Sequence, residues 1–339
     1  MARIGTDEWV ATVEGRTAVH GGWLGQLREA WERVHPGYQL AAFAIIAAIF
    51  PFLTDSDFVL RVGVNVLLFA ILAVGLNVTV GWTGMLDLSF VAFYGFGAYA
   101  YAFMSSNQFD LHWPTEAVII IAVIAAGFLG LLLGLPSWRL VGDYLAIITL
   151  FFAQMFVEIM NNLDRISVPW RDEPLSITGG PNGITRLDDF TLFGIDFSTL
   201  NHYFYFLLIA LILVVVGFHG INQSRTGRAW RAIREDPLAA EAMSVPINRL
   251  RILAFTFGAA TAGLAGSVFA AVQTGVFPQS FEVVLLIMIY AALVLGGTGS
   301  IKGAILGAIV IASIPQVLRP TAVDSASWLF YLALLGGLL

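Results

Sequence analysis

The feature that most constrains this chain is a succession of nine long apolar runs separated by short polar segments. They fall at roughly 39–54, 58–80, 85–105, 115–137, 144–161, 203–221, 251–274, 281–297 and 301–318. A helix that crosses a bilayer needs about 20 mostly apolar residues. Charged residues make up only 12% of the sequence, about half the share found in soluble domains. The pattern predicts an all-α, polytopic membrane protein with nine or ten transmembrane helices.

A tenth and shorter apolar run, 328–339, stands at the end of the sequence. At about 1.5 Å of rise per residue, its twelve residues span roughly 18 Å. The hydrocarbon core of a bilayer is about 30 Å thick. We therefore expect this helix to continue beyond residue 339, with a short helix that stops within the membrane and packs against its neighbours as the alternative.

The basic residues predict the orientation of the chain, because Lys and Arg concentrate in cytoplasmic loops. With a cytoplasmic N-terminus and every run crossing, twelve of the 17 Lys and Arg residues lie inside and five outside. Residues 39–339 then form the transmembrane domain. Within it, 162–202 is predicted to be an extracytoplasmic loop and 222–250 a cytoplasmic loop.

Residues 1–38 form a polar N-terminal tail, predicted to be cytoplasmic. Apolar residues recur within it at spacings of three and four, namely Trp23, Leu27, Trp31 and Val34. This spacing is typical of an amphipathic helix on the membrane surface. A loosely held tail fits the sequence equally well.

Composition and motif spacing exclude several classes of function. The chain has no Cys, which excludes thiolate metal sites and cysteine nucleophiles. Its net charge of −6 offers no basic surface for nucleic acid. The segment GGTGSIKG at 296–303 is similar to a P-loop, but a P-loop has Gly before its Lys and Ser or Thr after it. Here Ile301 and Gly303 occupy those places. We expect no cofactor on this chain, so that any ATP and Mg²⁺ bind partner subunits.

Ionisable residues inside a membrane are costly and often functional, and here they are few. Asp87, Glu158 and Glu282 lie near the ends of their runs. The scarcity of ionisable residues argues against an intramembrane enzyme. It also argues against an ion-coupled secondary transporter, although that class of protein stays as an alternative. Asn77 is interpreted as an interhelical hydrogen-bonding group or as a substrate ligand.

Small residues recur four apart in the later runs, and this spacing lets helix backbones approach closely. We predict helix packing as the role of these glycines, with a substrate path along the same small face as the alternative. The glycines concerned are Gly258, Gly263, Gly266, Gly299, Gly303 and Gly307.

The loop at 222–250 contains a short amphipathic helix in the sequence pattern. Asp236 followed by Pro237 is typical of a helix N-cap with proline at the first position. The predicted helix, 237–245, places Leu238, Ala242 and Val245 on one apolar face, and Pro246 ends it. Such a helix suits docking in a groove of a partner protein, although an ordinary solvated connector has the same spacing.

Five blocks of this sequence resemble the permeases of branched-chain amino-acid ABC importers of the LivM type. They are GMLDLSFVAFYGFGAY (84–99), RLVGDYLAIITL (139–150), TGGPNGI (178–184), GRAWRAIREDPLAAEAM (227–243) continuing into AFTFGAATAGLAGSVFA (254–270), and SFEVVLLIMIYAALVLGGTGSIKG (280–303). The resemblance covers roughly 58–320. The sequence departs from the family at Ser89, Phe151, Ala153 and Ser244, where Gly is usual, and at Gln154, where Glu is usual.

The resemblance implies a transport subunit without catalysis of its own, in the inner membrane of a bacterium or archaeon. Its implied partners are a homologous second permease, two cytoplasmic ATP-binding subunits and an extracytoplasmic solute-binding protein. The implied ATPase-coupling residues are Asp236, Pro237, Leu238, Ala239, Ala240, Glu241, Ala242 and Met243. Candidate residues of the translocation path are Asn77, Asp87 and Tyr99. Within the family, a permease for urea or short amides is the alternative to one for amino acids.

Overall fold

The computed structural model describes residues 36–317, except 55, 107–110, 137–141, 165–176, 189, 193 and 198. Residues 1–35 of the tail predicted to hold an interfacial helix lie outside the described residues, as does the terminal run 328–339. The helices of the described part are α1 Pro36–Ile49, α2 Asp57–Leu76, α3 Phe90–Met104, α4 Thr115–Gly134, α5 Asp143–Asn162, α6 Leu200–Gln223, α7 Arg225–Glu235, α8 Pro237–Ala242, α9 Ile247–Gln273, α10 Val283–Gly296 and α11 Ile301–Val317.

Nine of these helices coincide with the nine apolar runs, all except the short α7 and α8. Six helical segments of the described part are long and apolar enough to cross a membrane, and α1, α3 and α11 are shorter apolar helices. This confirms an all-α, polytopic membrane protein. Strand is confined, within the described residues, to β1 Ile184–Thr185 paired with β4 Gly275–Val276, and β2 Thr191–Leu192 paired with β3 Ile195–Asp196.

The run 85–105 differs from its prediction, because α3 begins only at Phe90. Helix α2 continues into a π-helical turn, Asn77–Trp82, and residues 83–89 are not helical. Gly84 adopts a φ of +70°, which an L-residue with a side chain rarely takes. We call residues 83–89 the α2–α3 break.

Helix α9 lies at the centre of the bundle and packs chiefly on α3 and α4, and also on α2. Its buried face consists largely of Ala and Gly, so neighbouring backbones approach closely. Helices α10 and α11 form a pair that packs on α2, and α2 also contacts α6.

The connecting segments gather at two opposite ends of the bundle. At one end, β1 pairs with β4, and a bridge joins Ser106 to Leu187. At the other end lie α7 and α8, separated from the first end by the 24 residues of α6, about 36 Å of helix. Lys302 donates to Gln39 there, so α1 begins at that same end. We call these the β1 end and the α8 end.

Candidate functional site

Helix α7 begins at the α8 end of the bundle and is firmly attached to it. The Ser224 hydroxyl caps it by accepting from Thr226 N at 3.2 Å. Its apolar side is buried through Trp230 and Ile233. The Trp230 indole donates from Nε1 to Leu250 O at 2.8 Å, which fastens α7 to the start of α9. Helix α7 therefore moves with the bundle and not as a free connector.

Helix α8 follows at once and begins as its sequence predicts. Asp236 Oδ1 accepts from Leu238 N at 2.9 Å and from Ala239 N at 3.1 Å, and Pro237 occupies the first helical position. An N-cap of this kind satisfies backbone donors that have no partner within the helix.

The predicted C-terminal end of this helix was wrong, because α8 stops at Ala242 and does not reach Val245. Ser244 has a φ of +62°, and its N–H donates to Glu241 O at 2.9 Å. Val245 N donates to Ala240 O at 3.1 Å. These two bonds form a Schellman motif, which ends a helix by a left-handed residue. Val245 therefore does not share the apolar face of α8.

The outer side of α8 is apolar and unusually exposed. Leu238 is 78% exposed and Met243 is 80% exposed. Ala239, Glu241 and Ala242 are also exposed, whereas Ala240 is buried on the inner side. We call Leu238, Ala239, Ala242 and Met243 the α8 surface.

Beneath α7, polar groups of α2 and of the loop between α10 and α11 are joined in one cluster. Asn77 Oδ1 accepts from Gly299 N at 2.7 Å, and the Trp82 indole donates from Nε1 to Gly299 O at 3.0 Å. Arg234 of α7 donates to Gly81 O. We call these five residues the Arg234 cluster. The Asn77 oxygen therefore accepts from the loop between α10 and α11 and not from another helix.

The α2–α3 break follows this cluster and reaches into the bundle. Leu88 N donates to Thr149 Oγ1 at 3.1 Å. Thr149 lies six residues, about 9 Å, beyond the first residue of α5. The Tyr290 hydroxyl of α10 donates to Asp87 O at 2.7 Å. Asp87 Oδ1 accepts from Ser89 N and Ser89 Oγ at 3.0 and 2.5 Å. Non-helical backbone at membrane depth is tolerated only inside protein or beside water, and these bonds provide that shelter.

Tyr99 lies farther along α3, about 14 Å from its first residue toward the β1 end. Its ring contacts Phe156 of α5 and Phe281, with centroids 6.1 Å away in both cases. Its hydroxyl is buried and has no hydrogen-bond partner among the described residues. The structure thus places Asn77 and Asp87 close to the α8 end and Tyr99 apart from them.

One exposed face of α5 combines apolar and polar side chains. Ile147, Phe151, Gln154 and Glu158 recur at spacings of four, three and four and are all exposed, which puts them on one side of the helix. Helix α5 packs mainly on α3 and on the turns 180–182 and 278–281. The sequence analysis missed this face, although its spacing was there to be read. We call these four residues the α5 stripe.

Comparison with known proteins then decides the family. The sequence model of one protein family, the branched-chain amino acid transport system permease component, matches residues 58–339. The chain belongs to this permease family. It is 36% identical over 304 residues to the high-affinity branched-chain amino acid transport system permease protein LivM of Escherichia coli K12, which covers 83% of this chain and 68% of that protein.

More distant relatives belong to the same kind of system. LivH of Escherichia coli K12, also a branched-chain amino acid permease, is 26% identical over 249 residues, covering 72% of this chain and 79% of LivH. The probable LivM of Methanocaldococcus jannaschii is 27% identical over 236 residues, covering 66% of this chain and 65% of that protein. No solved structure matches the permease.

The glycines selected for packing occupy tight positions in the permease, with one correction. A Cβ at Gly266 would lie 2.0 Å from Tyr94 O, one at Gly263 would lie 2.4 Å from Ala126 Cβ, and one at Gly258 would lie 3.3 Å from Thr79 Cγ2. A Cβ at Gly303 would lie 2.0 Å from Gly296 O of α10, and one at Gly307 would lie 1.8 Å from Ala292 O of the same helix. Gly299 was wrongly grouped with them, because it precedes α11 in a loop and has a φ of +94°.

The segment at 296–303 also differs structurally from a P-loop. It follows α10, not a strand, and a Cβ at Gly296 would lie 1.8 Å from Gly303 O. Its two ends therefore pack on each other. Among the described residues, no group of three or more His, Cys, Asp or Glu side chains could hold a metal ion.

Proposed function

We propose that this permease is the LivM-like subunit of an ABC importer that takes up branched-chain amino acids or other amino acids. The family match over 58–339 supports the transport role, and the names of LivM and LivH support the substrate class. The single observation that carries the coupling to ATP is the α8 surface. It presents Leu238 and Met243 to solvent at one end of the bundle.

Two separate ATP-binding subunits would supply the energy, with one of them docked on the α8 surface. When a partner covers an exposed apolar side chain such as Leu238, its burial contributes roughly 1.5–3 kcal/mol to the free energy of binding. The docked subunit would hold ATP and Mg²⁺. This chain would perform no hydrolysis, in keeping with the departures of 296–303 from a P-loop.

A homologous second permease would cover the α5 stripe. Gln154 lies eight residues before the end of α5, about 12 Å along the helix, where contact with lipid is costly for an amide or a carboxylate. Gln154 and Glu158 therefore favour a polar surrounding, either a partner helix or a hydrated path between the two permeases.

The translocation path would then pass between α5 and α3. Of the three candidate residues, Tyr99 fits this role through its buried hydroxyl, which is available to a substrate or to water. Asn77 offers its Nδ2 in the same way, since that atom is buried without a partner among the described residues while Oδ1 holds Gly299. Asp87 would act more indirectly, because its Oδ1 holds Ser89.

In the proposed orientation the α8 end is cytoplasmic and the β1 end is extracytoplasmic, in the inner membrane of a bacterium or archaeon. The loop 162–202 would receive the solute from a soluble binding protein. At this end His112 Nδ1 lies 2.7 Å from Asp188 Oδ2, and Asp188 N donates to Ser105 O at 2.6 Å. These contacts give the loop a defined surface next to α3.

The test is uptake by proteoliposomes that contain this chain, a LivH-like permease, the two ATP-binding subunits and the binding protein. We expect uptake of radiolabelled leucine that requires internal ATP and persists in the presence of an uncoupler. Uptake of urea in place of leucine would move the substrate to the amide class. Uptake that needs no ATP and stops with the uncoupler would refute the ABC assignment.

A further inference from the structure

Helix α7 contacts the C-terminal end of α2 through two side chains on one face. Trp230 stacks on Trp82, with ring centroids 5.9 Å apart and planes inclined by 23°. Four residues later, Arg234 donates from Nη1 to Gly81 O and from Nη2 to Thr298 Oγ1, the latter at 3.4 Å. Residues four apart share a helix face, so both contacts belong to one surface of α7.

Arginine is chemically suited to this position. The last carbonyl groups of a helix have no partner within it, and the helix dipole makes that end negative. Gly81 lies in the π-helical turn that ends α2, so its carbonyl offers an acceptor of this kind. A guanidinium satisfies both the acceptor and the dipole, and charge-assisted hydrogen bonds are roughly twice as strong as neutral ones.

The surrounding glycines leave the space that the arginine occupies. A Cβ at Gly299 would lie 2.7 Å from Arg234 Nη1, and one at Gly84 would lie 3.2 Å from Arg234 Cγ. Both glycines have positive φ values, +94° and +70°. The Arg234 side chain therefore crosses from α7 to α2 through a gap that two glycines keep open.

Arg234 lies between the N-cap of α8 and the α2–α3 break. On one side, Asp236 caps α8 only two residues later. On the other side, Gly81 precedes the α2–α3 break, where Tyr290 and Thr149 hold Asp87 and Leu88. Arg234 is therefore joined by few bonds both to the N-cap of α8 and to the break.

We propose that Arg234 is a positioning residue that couples movement of α8 to the α2–α3 break. This inference rests on the proposed function, because it requires an ATP-binding subunit on the α8 surface. It assigns Arg234 to the transmission of force, separate from the docking contact and from the substrate path.

The test measures leucine transported per ATP hydrolysed in the reconstituted complex. We expect Arg234→Ala to lower this ratio at least fivefold while basal ATP hydrolysis and complex assembly stay within twofold of wild type. The matched control is Arg231→Ala on the same helix. Arg231 donates to Asn222 Oδ1 and not to α2, so the ratio should stay within twofold.

Arg234→Lys distinguishes coupling from folding, because lysine keeps the cation but loses the forked geometry. We expect it to restore part of the ratio that Arg234→Ala loses. An unchanged ratio in Arg234→Ala, or an equal loss in Arg231→Ala, would overturn the inference. If Arg234→Ala does not assemble, a wild-type ratio in Arg234→Gln, which removes the charge, would overturn it as well. Failure of the wild-type complex to transport would instead reject the proposed function.

Discussion

Gly97 of α3 and Gly263 of α9 bring two helix backbones into direct contact. A Cβ at Gly97 would lie 2.3 Å from Gly263 O and 2.5 Å from Gly263 Cα. Because the opposing atoms belong to the backbone, no side-chain rotation relieves the clash. The contact lies between α9 at the centre of the bundle and α3, which follows the α2–α3 break.

Gly97→Ala is therefore expected to destabilise the permease. Overpacking of this kind lowers the stability by about 1–3 kcal/mol. It should appear as a lower melting temperature in detergent, measured by size-exclusion chromatography of heated samples. The matched control is Gly217→Ala in α6, where an added Cβ meets nothing within 4 Å. The control should melt at or above the wild-type temperature, since Ala favours a helix over Gly. Equal melting of the two variants would contradict the tight contact.

Ser244 offers a prediction in the opposite direction. It adopts a left-handed conformation at the end of α8, which costs roughly 1–2 kcal/mol for a residue with a side chain. Ser244→Gly should therefore slow hydrogen exchange in a peptide covering 236–246, and Ser244→Val should accelerate it. Identical exchange in all three proteins would show that the Schellman motif does not hold this helix end.

The α8 surface predicts where the ATP-binding subunit docks. Leu238→Glu replaces an exposed apolar side chain by a charge that a covering partner would desolvate. We expect at least a tenfold lower affinity for the ATP-binding subunit, because about 1.4 kcal/mol corresponds to tenfold. Pull-down from detergent measures the retention, and Asn248→Glu, at an exposed position near the start of α9, serves as the control. Full retention with Leu238→Glu would place the docking site elsewhere.

Thr149 is expected to hold the α2–α3 break in place. Thr149→Val keeps the shape of the side chain but leaves Leu88 N without its acceptor at 3.1 Å. An unpaired buried donor costs about 1–3 kcal/mol; the bond at Leu88 is partly buried, so a smaller loss is expected, measurable as a lower melting temperature. In the control, Thr256→Val, the lost hydroxyl donates to Ile252 O of its own helix, so the effect should be small. A larger loss in the control would argue against this role.

The two ends of the bundle predict a labelling pattern. The sequence contains no Cys, so an introduced cysteine provides a single thiol for labelling and no native cysteine has to be replaced. Thr199→Cys near the β1 end and Met243→Cys at the α8 end, both at exposed positions, should react with a membrane-impermeant maleimide from opposite sides of the membrane. Met243→Cys should react from the cytoplasmic side when the permease is expressed without its ATP-binding subunits. Labelling of both from one side would refute the proposed topology.

The sequence was sufficient to locate the nine apolar helices of the described residues, for a physical reason. In a bilayer each backbone group must be satisfied internally, so a long apolar run has the helix as its simple solution. The α2–α3 break was not predicted, because Met85, Leu86 and Leu88 are as apolar as the residues of a membrane helix. Its stability depends on Thr149 and Tyr290, which are distant in sequence.

The candidate site was predictable only where its contacts are local. Asp236 and Pro237 identified the start of α8, since an N-cap involves neighbouring residues. The end of α8 was misplaced because Ser244 takes a conformation usually reserved for Gly. Gly299 and Arg234 meet through the fold alone, across more than 60 positions of sequence, and no spacing rule joins them.

The π-helical turn at Asn77–Trp82 affects how the chain can change in length. An α-helix turns by 100° per residue, so deleting one residue from the middle of α2 would rotate every later side chain of that helix. A π-helical turn contains one residue more than an α-helical turn. A deletion within it can be absorbed by reverting to α-helical bonding, which leaves α2 in register and displaces the residues of the turn that bond Arg234 and Gly299. Among the residues of α2 and its extension, this turn is where losing a residue disturbs the helix register least, and the cost falls on the Arg234 cluster.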